Sequence, residues 1–286
     1  GAPAGAYTIA AIQANDVEKV YLNAYDTENT TDGMVVDMTL MKGVTNVGIA
    51  SSAAEGDVHF NNVGNLVDLD LNNSIGDVKV TYTGATVLGA TTQNIAVNNV
   101  ALGDITIAGV ETINISTNTL KSDLNSLVVA NATLMNVTGD KDLSIDNTAM
   151  DFADTTSTVA GAIDGTIDAS TFTGKLKVAV AAADNMKITG GSGNDTFVMG
   201  AGMNGFDVID GGDGTDTITM DSGALTTNFA QTTNVETLEI ANSAATAAYD
   251  VSKFGGSTVL INLNDGVDNG TTVDSTVTQA EGKTLV

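Results

Sequence analysis

Gly190–Val198 reads GGSGNDTFV, and Gly211–Thr219 reads GGDGTDTIT. Both segments match the nonapeptide pattern G-G-x-G-x-D-x-U-x, in which U is an apolar residue. Between them, Gly202–Asp210 reads GMNGFDVID, which keeps the first glycine, the fourth-position glycine, the aspartate and the apolar residue but has Met203 as its second residue. The insertion Met199–Ala201 separates the first copy from the second, whereas the second and third copies are contiguous. This repetition predicts a chain that repeats one small turn-and-strand unit.

The chemistry of these turns points to a hard cation. Glycine permits a positive φ, so carbonyl oxygens can turn toward one point, and the aspartate at the sixth position adds a carboxylate. Ca²⁺ takes about six to eight oxygen ligands. The alternative, ordinary glycine and aspartate turns, is weakened by two full copies and a partial one. We predict a Ca²⁺ cofactor held by Gly190, Gly191, Gly193, Asp195, Gly202, Gly205, Asp207, Gly211, Gly212, Gly214 and Asp216.

Two shorter units recur around the nonapeptides. Val110–Ile115 (VETINI) and Val235–Ile240 (VETLEI) place apolar residues at alternate positions, as expected of strands with one buried side. Asp168–Gly174 (DASTFTG) and Asp250–Gly256 (DVSKFGG) each carry a phenylalanine that we expect to fill a core. The apolar U residues are likewise expected to point inward: these are Phe197, Ile209 and Ile218.

Composition extends the β assignment to the whole chain, since β-branched residues are plentiful, glycine occurs 31 times and proline once. The one ambiguous stretch is 120–135 (LKSDLNSLVVANATLM), which fits a helix or a strand. The predicted fold class is all-β, an elongated parallel β-solenoid or stacked β-sheets containing a short calcium-binding roll. We predict a β-rich domain at 1–104 and a β-solenoid domain at 105–286 that contains the calcium-binding segment 190–219.

The charge excludes several classes of function. The net charge is −25, and all of the basic residues are lysines, so nucleic acid is not an expected partner. No run of about 18 apolar residues occurs, which predicts no membrane span. The single histidine, His59, leaves no multi-histidine metal site or histidine triad, and aromatic residues make up only 4% of the chain. We predict that the protein is not an enzyme.

Other oxygen-rich stretches have simpler explanations. Asp68, Asp70 and Asn72 alternate along a strand, and we favour a solvated face over an ion site. Asn264–Gly270 (NDGVDNG) is more typical of a hairpin or loop, with calcium as the alternative. Asp140 and Asp142 fit a turn, and His59 fits a surface or half-buried strand position.

Three segments, in this order, carry a resemblance to a known family: Ile107–Ile115 (IAGVETINI), Ile167–Gly174 (IDASTFTG) and Ile188–Val198 (ITGGSGNDTFV). With the nonapeptides, they make the chain similar to RTX-repeat bacterial surface-layer (S-layer) proteins exported by type I secretion, of the kind that coats Caulobacter-like cells. Residues 1–104 share the style of these segments without a signature of their own.

The resemblance implies a Ca²⁺-stabilised β-solenoid that folds outside the cell. Each nonapeptide would form half a coil of a β-roll, with Asp195 and Asp216 at one edge and Asp207 at the other. The implied function is a structural domain that assembles with its own copies into a lattice on the bacterial cell surface. A cell-surface glycan or lipopolysaccharide is a candidate partner. The alternative function is a calcium-binding module of a type I secreted adhesin or exported enzyme.

Overall fold

The structure is a computed structural model, and it describes residues 7–9, 13–24, 33–53, 56–147, 161–180, 185–221, 229–241, 248–250, 254–261, 276–278 and 284–285. The chain forms two compact units, residues 1–153 and residues 154–286. Each unit is built from β-strands.

The first unit contains short strands that alternate between two parallel sheets. They are β1 (Tyr7–Ile9), β2 (Ala14–Asn15), β3 (Lys19–Ala24), β4 (Met34–Asp37), β5 (Met41–Lys42), β6 (Asn46–Ser52), β7 (Val58–Val63), β8 (Asp68–Asn72), β9 (Val78–Tyr82), β10 (Thr92–Asn98), β11 (Ala101–Ile107), β12 (Thr112–Thr117), β13 (Ser122–Val128), β14 (Leu134–Gly139) and β15 (Leu143–Asn147). One sheet has the order β1-β4-β7-β9-β11-β13-β15, and the other has the order β3-β6-β8-β10-β12-β14. Strands β2 and β5 form a separate parallel pair.

From β6 onward, consecutive strands along the chain belong to opposite sheets, and each strand pairs in parallel with the strand one coil away. This winding is a parallel β-solenoid, as predicted from the sequence. The predicted domain boundary after residue 104 lies inside β11. The ambiguous segment 120–135 forms β13 and the start of β14 rather than a helix, because in-register neighbours on both sides supply its backbone hydrogen bonds.

Alternation of apolar and polar residues decides which side of each strand faces the core. Leu69, Ile95, Ile115 and Val137 occupy one register column across β8, β10, β12 and β14, and each is at most 1% exposed. Neighbouring parallel strands are spaced by about 4.8 Å, so the column packs as a continuous apolar stack. Each coil therefore depends on its neighbours to bury its apolar face.

The outer side of the same strands carries a ladder of side-chain amides. Asn94 donates to the Asp68 carboxylate at 2.8 Å, Asn114 donates to Asn94 at 2.9 Å, and Asn136 donates to Asn114 at 2.8 Å. Asp68 shares its half-buried face of β8 with Asp70, whose carboxylate accepts a hydrogen bond from Tyr21. These acids therefore take part in hydrogen bonding between coils.

The second unit repeats this architecture. Its strands are β16 (Gly165–Asp168), β17 (Leu176–Ala179), β18 (Met186–Thr189), β19 (Thr196–Gly200), β20 (Val208–Asp210), β21 (Thr217–Asp221), β22 (Thr232–Thr233), β23 (Thr237–Ala241), β24 (Ala248–Asp250), β25 (Thr258–Ile261), β26 (Thr276–Thr278) and β27 (Thr284–Leu285). One sheet has the order β17-β19-β21-β23-β25-β27, the other has the order β16-β18-β20-β22, and β24 pairs with β26. A short 3-10 helix, Phe229–Gln231, precedes β22.

The inward apolar residues of the second unit are those that the sequence predicted. Phe197 and Ile218 are in register across β19 and β21, and Ile209 lies on β20; all three have 0% exposure. The two repeated phenylalanines, Phe172 and Phe254, are buried as well. Within the residues described, no helix is long and apolar enough to span a membrane.

Candidate calcium site

The three nonapeptide copies place their aspartates in turns between strands. Residues 190–195 connect β18 to β19, residues 201–207 connect β19 to β20, and residues 211–216 connect β20 to β21. Because β18 and β20 belong to one sheet and β19 and β21 to the other, the first and third turns lie at one edge. Asp195 and Asp216 are thereby brought onto adjacent coils, and Asp207 lies at the opposite edge.

The two aspartates at the shared edge lie in one column, and each accepts a hydrogen bond from a backbone N–H of the preceding coil. Asp195 accepts a hydrogen bond through Oδ1 from the backbone N–H of Leu176 at 2.8 Å, and Asp216 accepts one through Oδ1 from the N–H of Asp195 at 2.7 Å. The next coil continues the column, because Glu236 accepts through Oε2 from the N–H of Asp216 at 2.8 Å. A carboxylate thus binds the N–H one coil earlier at three successive steps.

Asp207 makes the same type of contact at the opposite edge. Its Oδ1 accepts from the N–H of Met186 at 2.8 Å, and its Oδ2 accepts from the N–H of Asn204 at 2.7 Å. Met203, where the consensus has glycine, is buried and contributes to the core. Its first glycine, Gly202, is buried, while Gly205 is exposed.

The glycines at the shared edge are needed mainly because the turns stack closely. A Cβ on Gly191 would lie 2.0 Å from the Phe172 carbonyl oxygen, and a Cβ on Gly193 would lie 2.2 Å from that of Gly174. The sequence prediction that these glycines serve positive φ applies only in part. Among the glycines of these two turns, positive φ occurs at Gly212 (91°) and Gly214 (126°).

At two of these glycines, the next coil lies so close that there is no room for a side chain. The position of a Cβ on Gly190 is 2.1 Å from the Gly211 carbonyl oxygen and 2.8 Å from Asp195 Oδ2. The equivalent position on Gly211 is 1.8 Å from the Asn234 carbonyl oxygen and 2.6 Å from Asp216 Oδ2. The close approach therefore brings a carbonyl oxygen and a carboxylate oxygen near each other at both positions, and these are the ligand types that Ca²⁺ prefers.

Burial makes these carboxylates costly as anions. Asp195 is 1% exposed and Asp216 is 0% exposed. Burial raises the pKa of Asp195, although the N–H groups of Leu176 and Gly191 oppose the shift. Burial raises the pKa of Asp216 to about 7, and the nearby charges of Asp195, Glu236 and Asp210 add to the increase. A cation near Asp216 would relieve both the burial cost and the repulsion.

The opposite edge has the same electrostatic character. Burial is the main cause of a raised pKa at Asp207, and the charge of Asp164 adds to it, while hydrogen bonds from Met186 and Asn204 oppose it. Asp164 accepts from the N–H of Asn185 through Oδ2 at 2.8 Å, and its buried Oδ1 has no hydrogen-bond partner. Sequence reasoning did not single out Asp164, which precedes a glycine outside the nonapeptides.

Glu236 is a second residue of the site that was not singled out from the sequence, where it appeared only as part of the strand unit VETLEI. The register Thr217↔Thr237 places it directly after Asp216 in the column. The sequence reveals its place in the column only when VETLEI is aligned with the nonapeptide one coil earlier. That alignment matches Glu236 with Asp216, because each residue immediately precedes its strand. Across the described parts of the chain, no three His, Cys, Asp or Glu side chains are grouped to hold a metal. A bound ion would therefore need backbone carbonyls as well.

The remaining sequence candidates lie elsewhere. Asp140 forms an exposed ion pair with Lys141 at 2.7 Å. His59 is half-buried on β7, with Nε2 2.7 Å from the Thr81 hydroxyl, in agreement with the predicted strand position. The segment 264–270 falls outside the described residues.

Comparisons with known proteins give no match: no family model, no curated protein and no solved structure is similar to the chain. Family membership is therefore not shown. The resemblance to RTX-repeat surface-layer proteins remains a prediction from the quoted segments.

Proposed function

We propose that this chain is a calcium-dependent structural domain of a secreted bacterial surface-layer protein, which assembles with its own copies into a cell-surface lattice. One observation carries the proposal. The stacked turns at 190–195 and 211–216 bury two carboxylates beside carbonyl oxygens, at glycines that approach the next coil too closely for a side chain. The role is structural rather than catalytic, and a surface glycan or lipopolysaccharide is the proposed anchoring partner.

Calcium would act on this fold through linkage. The ion would bind the ordered turns and not the unfolded chain, so the folded state would gain about 2.7 kcal/mol per site at 100 times the Kd. Without the ion, the buried carboxylates repel one another and oppose the close stacking of the coils. A chain that is exported unfolded would thus fold only where calcium is abundant.

Thermal unfolding in calcium-free buffer and in millimolar Ca²⁺, with light scattering recorded in parallel, tests this function. We expect a rise in Tm that Mg²⁺ at the same concentration does not reproduce, together with calcium-dependent scattering. Electron microscopy of the scattering sample should show ordered two-dimensional sheets. Asp195→Ala and Asp216→Ala should remove most of the rise in Tm, whereas His59→Ala should keep it.

The other outcomes separate the remaining functions. A calcium-dependent rise in Tm without assembly, combined with binding on a glycan array, would replace the lattice function with an adhesin module. The same rise with neither assembly nor glycan binding would favour a module attached to an exported enzyme. An unchanged Tm would contradict calcium binding altogether.

A further inference from the structure

One carboxylate oxygen at the shared edge is buried and has no hydrogen-bond donor. Asp216 has 0% exposure, and its Oδ1 is bonded to the N–H of Asp195, but its Oδ2 has no partner. An unsatisfied buried polar group carries the full cost of its lost hydration, and the cost is greater when the group is charged. This oxygen therefore calls for a ligand that the protein itself does not supply.

The equivalent oxygen one coil earlier does have a donor. Asp195 Oδ2 accepts from the N–H of Gly191 at 2.8 Å. In the later coil the corresponding glycine, Gly212, has a φ of 91°, and its N–H instead donates to Asp210 Oδ1 at 3.3 Å. The two turns thus share a sequence motif but differ at one donor, and the difference leaves Asp216 Oδ2 open.

The surroundings of this oxygen are those of a cation site. Asp216 Oδ2 and the Asn234 carbonyl oxygen lie 2.6 Å and 1.8 Å from the position that a Cβ on Gly211 would occupy. Glu236 adds a second carboxylate, which is already fixed by its bond to the Asp216 N–H. The neighbouring charges that act on Asp216 come from Asp195, Glu236 and Asp210, and all are negative. Hard divalent cations select oxygen ligands of this kind.

We propose that Asp216 of the third nonapeptide forms a divalent-cation site with Glu236 and the backbone carbonyl of Asn234, both of which lie outside the repeats. Its ligands come from the turns at 211–216 and 234–236, so the site extends cation binding by one coil beyond the third repeat. Glu236 and Asn234 also line a solvent-open groove of about 460 Å³. The assignment of the ion as Ca²⁺ rests on the proposed function.

Calorimetric titration of the full chain with CaCl₂ at pH 7.5, starting from calcium-free protein, tests the site. Glu236→Gln keeps the size and the hydrogen-bonding capacity of the side chain but removes its charge. We expect this variant to lose one calcium equivalent or to bind one equivalent at least about 10-fold more weakly. Circular dichroism establishes that the variant is folded, and Glu236→Asp, which keeps the charge on a shorter stem, serves if it is not.

Glu239→Gln is the matched control. Glu239 lies on the half-buried outer side of β23, where its Oε2 is 3.4 Å from the Thr219 hydroxyl. We expect this variant to bind as the wild type does. Asp195→Asn should weaken a different equivalent and keep the one that depends on Glu236.

The titration separates the two proposals. Calcium binding by the wild type with unchanged stoichiometry and affinity in Glu236→Gln would overturn this site and leave the proposed function standing. Weakened binding in Glu239→Gln to the same extent would also overturn the site, because the effect would then be one of general charge. Absence of binding by the wild type would overturn both proposals.

Discussion

Both units contain a column of carboxylates that bind backbone N–H groups of adjacent coils, yet the two columns differ in direction and in burial. In the first unit, Asp57 accepts from the N–H of Asp77 at 2.7 Å, and Asp77 accepts from the N–H of Asp104 at 2.8 Å. Each of these carboxylates accepts a hydrogen bond from a residue one coil later in the chain. In the second unit, Asp195 and Asp216 accept from residues one coil earlier.

The carboxylates of the two columns also differ in how far they are buried. Asp77 is exposed, and the groove of about 210 Å³ beside it also contains Lys79, which supplies a positive charge. Asp195 and Asp216 are at most 1% exposed, and the glycines of their turns pack closely against carbonyl groups of adjacent coils. A carboxylate that caps a neighbouring N–H is therefore a general device of these coils. Partial burial raises the pKa of Asp77 as well, and the charges of Asp104 and Asp57 add to the increase, but the glycine turns remove Asp195 and Asp216 from solvent almost completely.

Calcium removal is expected to produce the largest difference in stability between the two units. If Asp195 and Asp216 each bind one ion, the linkage contribution is about 5 kcal/mol at 100 times the Kd. Hydrogen exchange measured by mass spectrometry with and without Ca²⁺ should show roughly 100-fold faster exchange or more in 185–221 when calcium is absent. Peptides from 78–145 should change little. Equal loss of protection in both regions would contradict the assignment of calcium to the buried column.

The position of the buried column was predictable from the sequence, because glycine and aspartate at fixed offsets identify its turns. The same pattern identifies Phe197 and Ile218 as inward-facing residues. What the pattern did not reveal was the register between coils outside the nonapeptides. Asp57 and Asp77 are separated by 20 residues and Asp77 and Asp104 by 27. Because turn lengths vary, no fixed period identifies such a column.

Glu236 and the glycines illustrate the same limit in the second unit. Glu236 belongs to the column only because β21 and β23 pair with Thr217 opposite Thr237, and local sequence does not encode that pairing. The glycines were predicted for their conformational freedom, whereas Gly190, Gly191 and Gly193 are fixed by the nearness of an adjacent coil. Steric requirements between coils appear only once the coils are stacked.

The pH dependence of stability should also distinguish the columns. In calcium-free buffer, the folded state holds a proton on Asp216 with a pKa of about 7, against about 4 in the unfolded chain. That stabilisation is complete below about pH 4 and is lost as the pH rises through 7, because the unfolded state releases the proton first. We expect the free energy of unfolding to fall by up to roughly 4 kcal/mol between pH 4 and pH 8.

Urea titrations across this pH range measure the effect. Asp216→Asn should flatten the profile, which separates the contribution of Asp216 from the general repulsion of a chain with a net charge of −25. Saturating Ca²⁺ at pH 7 and above should restore the lost stability. A stability that increases with pH in the wild type would contradict the buried-carboxylate account.

Adding a single methyl group tests whether stacking makes the glycine turns special. Gly211→Ala should destabilise the protein by about 1–3 kcal/mol, because its Cβ would lie 1.8 Å from the Asn234 carbonyl oxygen and the backbone must move. Gly64→Ala in the first unit is the control, since nothing lies within 4 Å of its Cβ. Urea unfolding of both variants in Ca²⁺ gives the comparison, and equal effects would show that close approach is not the constraint.

The smallest expected effect concerns the exposed column. Asp77→Asn keeps an oxygen that can accept the hydrogen bond from Asp104 and removes one exposed charge, so the change in stability should stay within about 0.5 kcal/mol. The Tm response to Ca²⁺ should equal that of the wild type. Asp216→Asn is its buried counterpart: it should stabilise the calcium-free protein at pH 7.5 by removing a buried charge, and reduce the gain from Ca²⁺ by removing a ligand. If Asp77→Asn instead abolished the calcium response, the assignment of calcium to the buried column alone would be wrong.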